Sequence, residues 1–225
     1  GQVNGQSEKS LDAKLQNLQK SIQAVEAKMQ TLSAKAPAAA PAQNNQAVIL
    51  EIQKLKKDLD KVLKDKKFNL DIKIINDGTN ILNTGGGILN MINSSKEADF
   101  ITFNPDTVWN ENYKKYIQNM EKFYFLKKVQ NILLLANENL SFDKNLKGDF
   151  NLKKNIIKKN DVNSLIYTGC QILNKSLFNS CVVSNFSISN VWNELINKDE
   201  LYGFESLEEF KHLTDLNIYK QILKN

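Results

Sequence analysis

Arginine is absent from the chain: all 30 basic residues among its 225 are lysine. The flat guanidinium fork that reads carboxylates, phosphates and guanine edges therefore cannot occur, which argues against a nucleic-acid reader of that kind. There is one histidine, His212, and there are two cysteines, Cys170 and Cys181, with no metal-like spacing. One possible disulfide would be a weak staple for a chain of this length, so both cysteines read as reduced core residues. Long apolar runs are lacking as well. The longest, Ile132 to Ala136, is strand-sized, whereas a membrane helix needs ~20 residues, so no membrane span is expected. Gly1 to Ser10 is polar and lacks a signal-like apolar stretch, and the expected location is cytoplasmic.

The composition that remains, 41% hydrophobic and 24% charged, is that of a globular chain with enough length to bury a core. It changes sharply along the sequence. Leu11, Leu15, Leu18, Ile22, Val25, Met29 and Leu32 alternate spacings of four and three, the a/d seam of a helix that needs a partner. Residues 34–46 are rich in Ala, Pro and Gln, and Pro37 and Pro41 stop a helix there. Ala47 to Ile52 suits a strand leading into a lysine-rich helix that ends near Lys67. Ile52, Leu55, Leu59 and Val62 equally suit one continuous second coiled-coil helix. The expected organisation is a heptad helix over 1–33, a linker over 34–46 and an α/β domain over 47–225, with a homo-oligomer formed through residues 11–32.

From Phe68 onward strands alternate with helices. Strands are expected at 70–75, 100–103, 132–136, 150–152, 165–168 and 171–173. Helices are expected at 88–93, 113–127, 188–196, 207–210 and 216–223. This order predicts a layered α/β domain with a mostly parallel sheet, in which ligands sit beyond the C-terminal ends of the strands.

Three clusters fall at such ends. Thr84-Gly85-Gly86-Gly87 precedes an apolar helix; it suits a sharp turn as well as a nucleotide cradle, since glycines let a backbone approach a ligand and a helix start offers free N–H groups. Phe103-Asn104-Pro105-Asp106 delivers a carboxylate to the end of a strand, either as a turn residue or as the hard oxygen ligand that Mg2+ needs. Lys147-Gly148-Asp149-Phe150 and Tyr167-Thr168-Gly169 each place glycine beside polar groups, suited to a hairpin turn or to hydrogen-bonding a polyol.

In this order and spacing the clusters resemble the sugar-1-phosphate nucleotidyltransferases, in particular the bacterial N-acetylmuramate-1-phosphate uridylyltransferases and mannose-1-phosphate guanylyltransferases. The matching segments are Thr84 to Asn90, Asn104 to Trp109, Gly148 to Phe150, Tyr167 to Gly169 and a terminal stretch from Lys211 to Ile222, so the resemblance covers about residues 68–225. It implies a layered α/β/α, Rossmann-like domain that binds a nucleoside triphosphate and a sugar 1-phosphate and releases pyrophosphate. It further implies Mg2+ held by Asp106 as the central catalytic residue, and a nucleotide beside Thr84, Gly85, Gly86 and Gly87. A sugar would face Gly148, Asp149 and Gly169. His212 falls at a second metal position, where relatives carry Asp or His. Imidazole is a poor Mg2+ ligand, so contact with phosphate or a metal-bound water is the alternative, and a surface histidine a third. Asp215 competes for the carboxylate role.

The family's opening strand and its arginine-bearing glycine loop have no counterpart. Gly1 and Gly5 are the only glycines before Gly78. That loop clamps the triphosphate, and clamp contacts govern in-line positioning. The expectation is therefore an impaired transferase whose sheet has an exposed edge, with a non-catalytic oligomerising protein carrying a remnant domain as the alternative. Charge follows the same division. Residues 1–67 hold 12 lysines against seven acids, while residues 68–225 hold 18 of each.

Overall fold

The computed structural model describes residues 72–78 and 81–224, together with Lys54 and Lys57, which lie in helical backbone. The expected heptad helix over residues 11–32, the expected linker over 34–46 and the expected strand over 47–52 all fall outside the described residues. The chain divides into two compact units, Gly1–Ile74 and Ile75–Asn225. The second holds every element named below.

The second unit's described residues hold four α-helices: α1 (Asn83–Asn93), α2 (Tyr113–Lys127), α3 (Ser189–Asn197) and α4 (Leu216–Ile222). The strands are β1 (Asp99–Phe103), β2 (Asn131–Asn137), β3 (Asn151–Lys153), β4 (Ile156–Lys158), β5 (Leu165–Asn174) and β6 (Tyr202–Ser206). They form one sheet in the order β1-β5-β2-β6-β4-β3.

β2 explains the layering. Ile132 through Ala136 are all 0% exposed, which a strand achieves only when both faces of its sheet are covered. Ile132 and Leu134 share a core cluster with Tyr113, Met120 and Tyr124 of α2. Leu133 and Leu135 share another with Leu89 and Ile92 of α1 and with Trp192 and Leu195 of α3. Helices therefore cover both faces, as an α/β/α arrangement requires, and each fully buried leucine stabilises it by ~1.5–3 kcal/mol. No described helix is long and apolar enough to cross a membrane.

The sheet is mixed, which corrects the expectation of mostly parallel strands. Only β2 and β6 pair parallel; β1/β5, β5/β2, β6/β4 and β4/β3 are antiparallel. The cause is β5, which lies antiparallel between β1 and β2. Since both its neighbours oppose it, β1, β2 and β6 all run in one direction. Their C-terminal ends, and the start of β5, meet at one end of the sheet.

Other expectations also needed correction. Residues 72–77 form no strand, because period-2 alternation makes a strand only where a neighbour is there to pair. The two strands at 165–168 and 171–173 are one, with Gly169 at φ +89° within it, and the β2/β5 register shifts between Leu133 and Leu135. Leu207 to Phe210 is not a helix; Phe210 instead bridges Ser141. No described strand pairs with the outer side of β1, whose Ile101 and Phe103 are 44% and 47% exposed. Both cysteines are free thiols, Cys170 fully buried and Cys181 partly so. Burial pushes the Cys170 thiol up to about 12.

Candidate functional site

The glycine run is the first turn of α1 rather than a loop ahead of it. Its N–H groups already have partners: Gly85 and Gly86 both donate to the Phe186 carbonyl, at 2.9 and 3.2 Å. Thr84 Oγ1 accepts the Ile188 N–H at 3.0 Å. A Cβ on Gly86 would fall 1.9 Å from the Ser184 carbonyl oxygen, and one on Gly85 would fall 2.4 Å from the Phe186 ring. Two of these glycines are thus required by the close approach of the 184–188 segment. Gly87 is not: the nearest atom to its Cβ would be an Asp77 carboxylate oxygen at an ordinary 3.6 Å.

The remaining candidates converge on the sheet end where β1, β2 and β6 terminate. Asn104-Pro105-Asp106 follows β1 and is fastened to β5. The Asn104 N–H donates to the Gly169 carbonyl at 2.8 Å, and Thr107 Oγ1 donates to the Thr168 carbonyl at 2.8 Å. Gly169 lies so near that a Cβ would meet Asn104 Cβ at 2.7 Å, and its positive φ suits no other residue as well.

Asp106 and His212 are brought together from opposite ends of the domain. Thr107 bridges His212 antiparallel, the Val108 N–H donates to the Lys211 carbonyl at 2.9 Å, and the Leu213 N–H donates to the Asp106 carbonyl at 2.8 Å. The His212 ring stacks on Phe210, which is 1% exposed, with 13° between planes and 5.8 Å between centroids. These contacts set His212 Nδ1 at 3.7 Å from Asp106 Oδ1. That separation is too long for a hydrogen bond. Both atoms are shielded from solvent and neither has a hydrogen-bond partner.

Asp149 lies at the same end. One of its carboxylate oxygens accepts the Tyr167 N–H at 2.9 Å, and the Asp149 N–H donates to the Leu165 carbonyl. Burial raises its pKa, opposed by that hydrogen bond and by the charges of Lys159 and His212. Gly148 donates its N–H to Glu138 at 3.1 Å, and a Cβ there would meet the Asn163 carbonyl oxygen at 2.4 Å. Asp215, the competitor for the carboxylate role, caps α4 by accepting the N–H groups of Asn217 and Ile218.

Asp143 has a part that the sequence reading missed. It is 5% exposed, accepts Thr214 Oγ1 at 2.7 Å and the Asn145 N–H at 3.0 Å, and so anchors the segment carrying His212. The Asn145 hydrogen bond, then that of Thr214, holds its carboxyl below the usual range. The Asp-x-Asn spacing of an Asx turn was the available signal.

The architecture matches solved structures at low sequence identity. HddC from Yersinia pseudotuberculosis is 19% identical over 74% of this chain and 72% of its own, with a TM-score of 0.52. The fold is that of the sugar-1-phosphate nucleotidyltransferases. Two further structures with this nucleotidyltransferase fold match. UDP-glucose pyrophosphorylase from Acinetobacter baumanii has a TM-score of 0.56 and 12% identity over 81% of this chain and 68% of that one. The inositol-1-phosphate CTP transferase of T. maritima has a TM-score of 0.55 and 14% identity over 75% and 71%. No protein-family model matches the chain, and no curated protein matches it.

Proposed function

We propose that this chain transfers a nucleoside monophosphate from a nucleoside triphosphate to a sugar 1-phosphate, and does so slowly. The observation that carries this reading is the Asp106–His212 pair: two shielded, unpartnered polar atoms at the C-terminal end of the sheet, on a nucleotidyltransferase fold. A structure of HddC in complex with GMP-PN is among the matches, with a TM-score of 0.53.

In the reaction an oxygen of the sugar 1-phosphate bonds to the α-phosphorus. The bond from that phosphorus to the β-phosphate bridging oxygen breaks, and pyrophosphate leaves with the electron pair. A carboxylate oxygen and an imidazole nitrogen, both lacking partners, fit a divalent cation, with Asp106 as its primary ligand and His212 beside it. When bound, such an ion neutralises phosphate charge. The protein's own contribution is placement. Asn104 and Thr107, tied to β5, fix the carboxylate, and the 211–213 bridge fixes the imidazole. Asp149, with one oxygen on the Tyr167 N–H, retains a second oxygen able to accept a sugar hydroxyl, beside Gly148 and Gly169. The Thr84 to Gly87 turn shapes a wall for base and ribose by close packing, since the Gly85 and Gly86 N–H groups are already bonded.

Slowness follows from the absence of any arginine to clamp the triphosphate. That same absence favours a second reading, an oligomerising interaction protein with a remnant domain. Pyrophosphate release, measured with each nucleoside triphosphate and several hexose 1-phosphates, separates the two. Slow release abolished by Asp106→Asn supports the transferase. No release with any pair, or release unchanged by the substitution, overturns it.

A further inference from the structure

We propose that two copies of this chain join edge to edge through β1, antiparallel about a two-fold axis at Ile101, with Phe103 of each seated in a cavity beside Asp99 of the other. The proposal concerns the free edge of the sheet and does not depend on the transferase reading.

That edge is open and unguarded. The Asn104 N–H donates to the Gly169 carbonyl and the Lys175 N–H donates to the Ala98 carbonyl, so in the β1/β5 register the even-numbered residues of β1 bond to β5. The N–H and C=O groups of Asp99, Ile101 and Phe103 therefore point outward, where no described strand meets them. Sheet edges are usually blunted by shortness, lysine, proline or a bulge. The strand at the opposite edge, β3, is blunted in this way: it has three residues and ends on Lys153. β1 has five residues, no lysine or proline, and no register shift. It is a template for a further strand.

What fits it is a second β1. The side chains of Asp99 and Phe103 lie on the α2 face, where an Asp99 oxygen accepts Tyr124 Oη and the Phe103 ring meets Trp109 edge-on at 5.2 Å; Ile101 lies between them on that face. Beside Asp99 opens a cavity of about 310 Å3 whose walls include Tyr124, Phe125 and Val129. That is many times the ~30 Å3 share of a water molecule, with room for a phenyl ring. A two-fold axis at Ile101 sets Ile101 against Ile101 of the partner subunit and Asp99 against Phe103 of the partner subunit. Residues facing in this way have Cβ atoms about 4.5–5.5 Å apart, so Phe103 of the partner subunit arrives next to the Asp99 cavity. Symmetry repeats the contact, and in each copy it covers Ile101 and Phe103, which are otherwise exposed. The Asp99 carboxylate does not oppose the ring as a bare charge, since it also accepts Asn174 Nδ2 at 2.8 Å. A foreign strand could bond to the outward groups, but it would have to bring an aromatic side chain to the one position where β1 provides its own.

The test uses the full chain carrying Ile101→Cys under mild oxidation. Facing Cα atoms in a hydrogen-bonded antiparallel pair are about 5.5 Å apart, within the span of a disulfide, so the two copies should cross-link at position 101 almost completely. Val162→Cys, at a position 83% exposed ahead of β5, and the wild-type chain with its own Cys181 give the background from chance collision or from association elsewhere in the chain. Adding Phe125→Glu, which puts a carboxylate into the cavity wall, or Phe103→Ser, which removes the ring, should cut the cross-linked fraction at least about fivefold. In the absence of any cysteine substitution, hydrogen exchange at the Ile101 and Phe103 amides should be at least about tenfold slower in wild type than in Phe125→Glu.

A cross-link no greater than that of Val162→Cys, or one that Phe125→Glu and Phe103→Ser leave unchanged, overturns the proposal. Ile101 and Phe103 amides that exchange as freely in wild type as in Phe125→Glu overturn it too. So does protection of those amides in a chain that sediments as a monomer, because the edge is then covered from within. Should Ile101→Cys fail to fold, the exchange measurement on the wild-type chain decides alone.

Discussion

At the start of α1 the N–H groups of Gly85 and Gly86 both end on the Phe186 carbonyl, and the glycines admit a neighbouring backbone that any side chain would strike. At the end of β1 the carboxylate of Asp106 and the imidazole of His212 converge and leave one atom each without a hydrogen bond. Both segments carry residues of the same expected site. In one the polar groups are satisfied by the fold; in the other the fold brings polar groups together and leaves them to something else. Shielded polar atoms are nearly always paired; Asn131 Oδ1 and Tyr219 Oη are exceptions elsewhere, but among the described residues only Asp106 and His212 set two such atoms facing each other, while the paired groups at α1 indicate what holds the chain together.

The sharpest way to break this contrast is to exchange the effects of substitution. Gly86→Ala should destabilise by about 3 kcal/mol or more, because its Cβ would overlap the Ser184 carbonyl and the backbone must move. Asp106→Asn should leave the denaturation midpoint within the error of wild type and reduce turnover at least about a hundredfold. Loss of stability in Asp106→Asn, or a fully stable Gly86→Ala, would mean the two segments have been assigned the wrong way round.

Thr107→Val has an intermediate effect. It removes a hydrogen bond to the Thr168 carbonyl from a position that is 4% exposed, at a cost of about 1–2 kcal/mol in urea unfolding. It should also weaken divalent-ion binding, since it loosens the bridge to His212.

The smallest effects concern pH. The Asp143 carboxyl lies below its ordinary range. Its contribution is fully present above the unfolded pKa and is lost as pH falls through the folded one, so Asp143→Asn should lower Tm at pH 7, with the difference starting to shrink only as pH falls to about 4 and closing below the lowered folded pKa. Asp149 is shifted the other way by burial. Its ionised form opposes folding, and that cost is relieved as pH falls through the raised pKa. Asp149→Asn should therefore match or exceed wild-type Tm at pH 7 while raising KM for the sugar 1-phosphate. Parallel melting curves of the two variants across pH check both signs.

How much of this was legible in the sequence depended on the range of the interactions. The helix at 113–127 was readable to the residue, because Tyr113, Met120 and Tyr124 keep helical spacing on one face. The uninterrupted apolar run of β2 gave a strand covered on both sides. Asp106 at a strand end and His212 in the terminal stretch were also named, though their meeting is made by a bridge spanning over a hundred residues. Short elements with distant partners escaped: β4 has three residues, and β6 is a strand because it pairs with β2. The glycine run was misplaced as a turn because its reason is the 184–188 segment, about a hundred residues away. Asp143 was missed because its partner is Thr214.

His212 is the only histidine in the chain, so its ring nitrogens can be observed alone by 15N NMR. The most direct test of the account is to titrate the full chain with Mg2+ and pyrophosphate while following those two resonances. A saturable shift that is lost in Asp106→Asn is the predicted result. Ring nitrogens that stay unmoved at saturating ligand would contradict it.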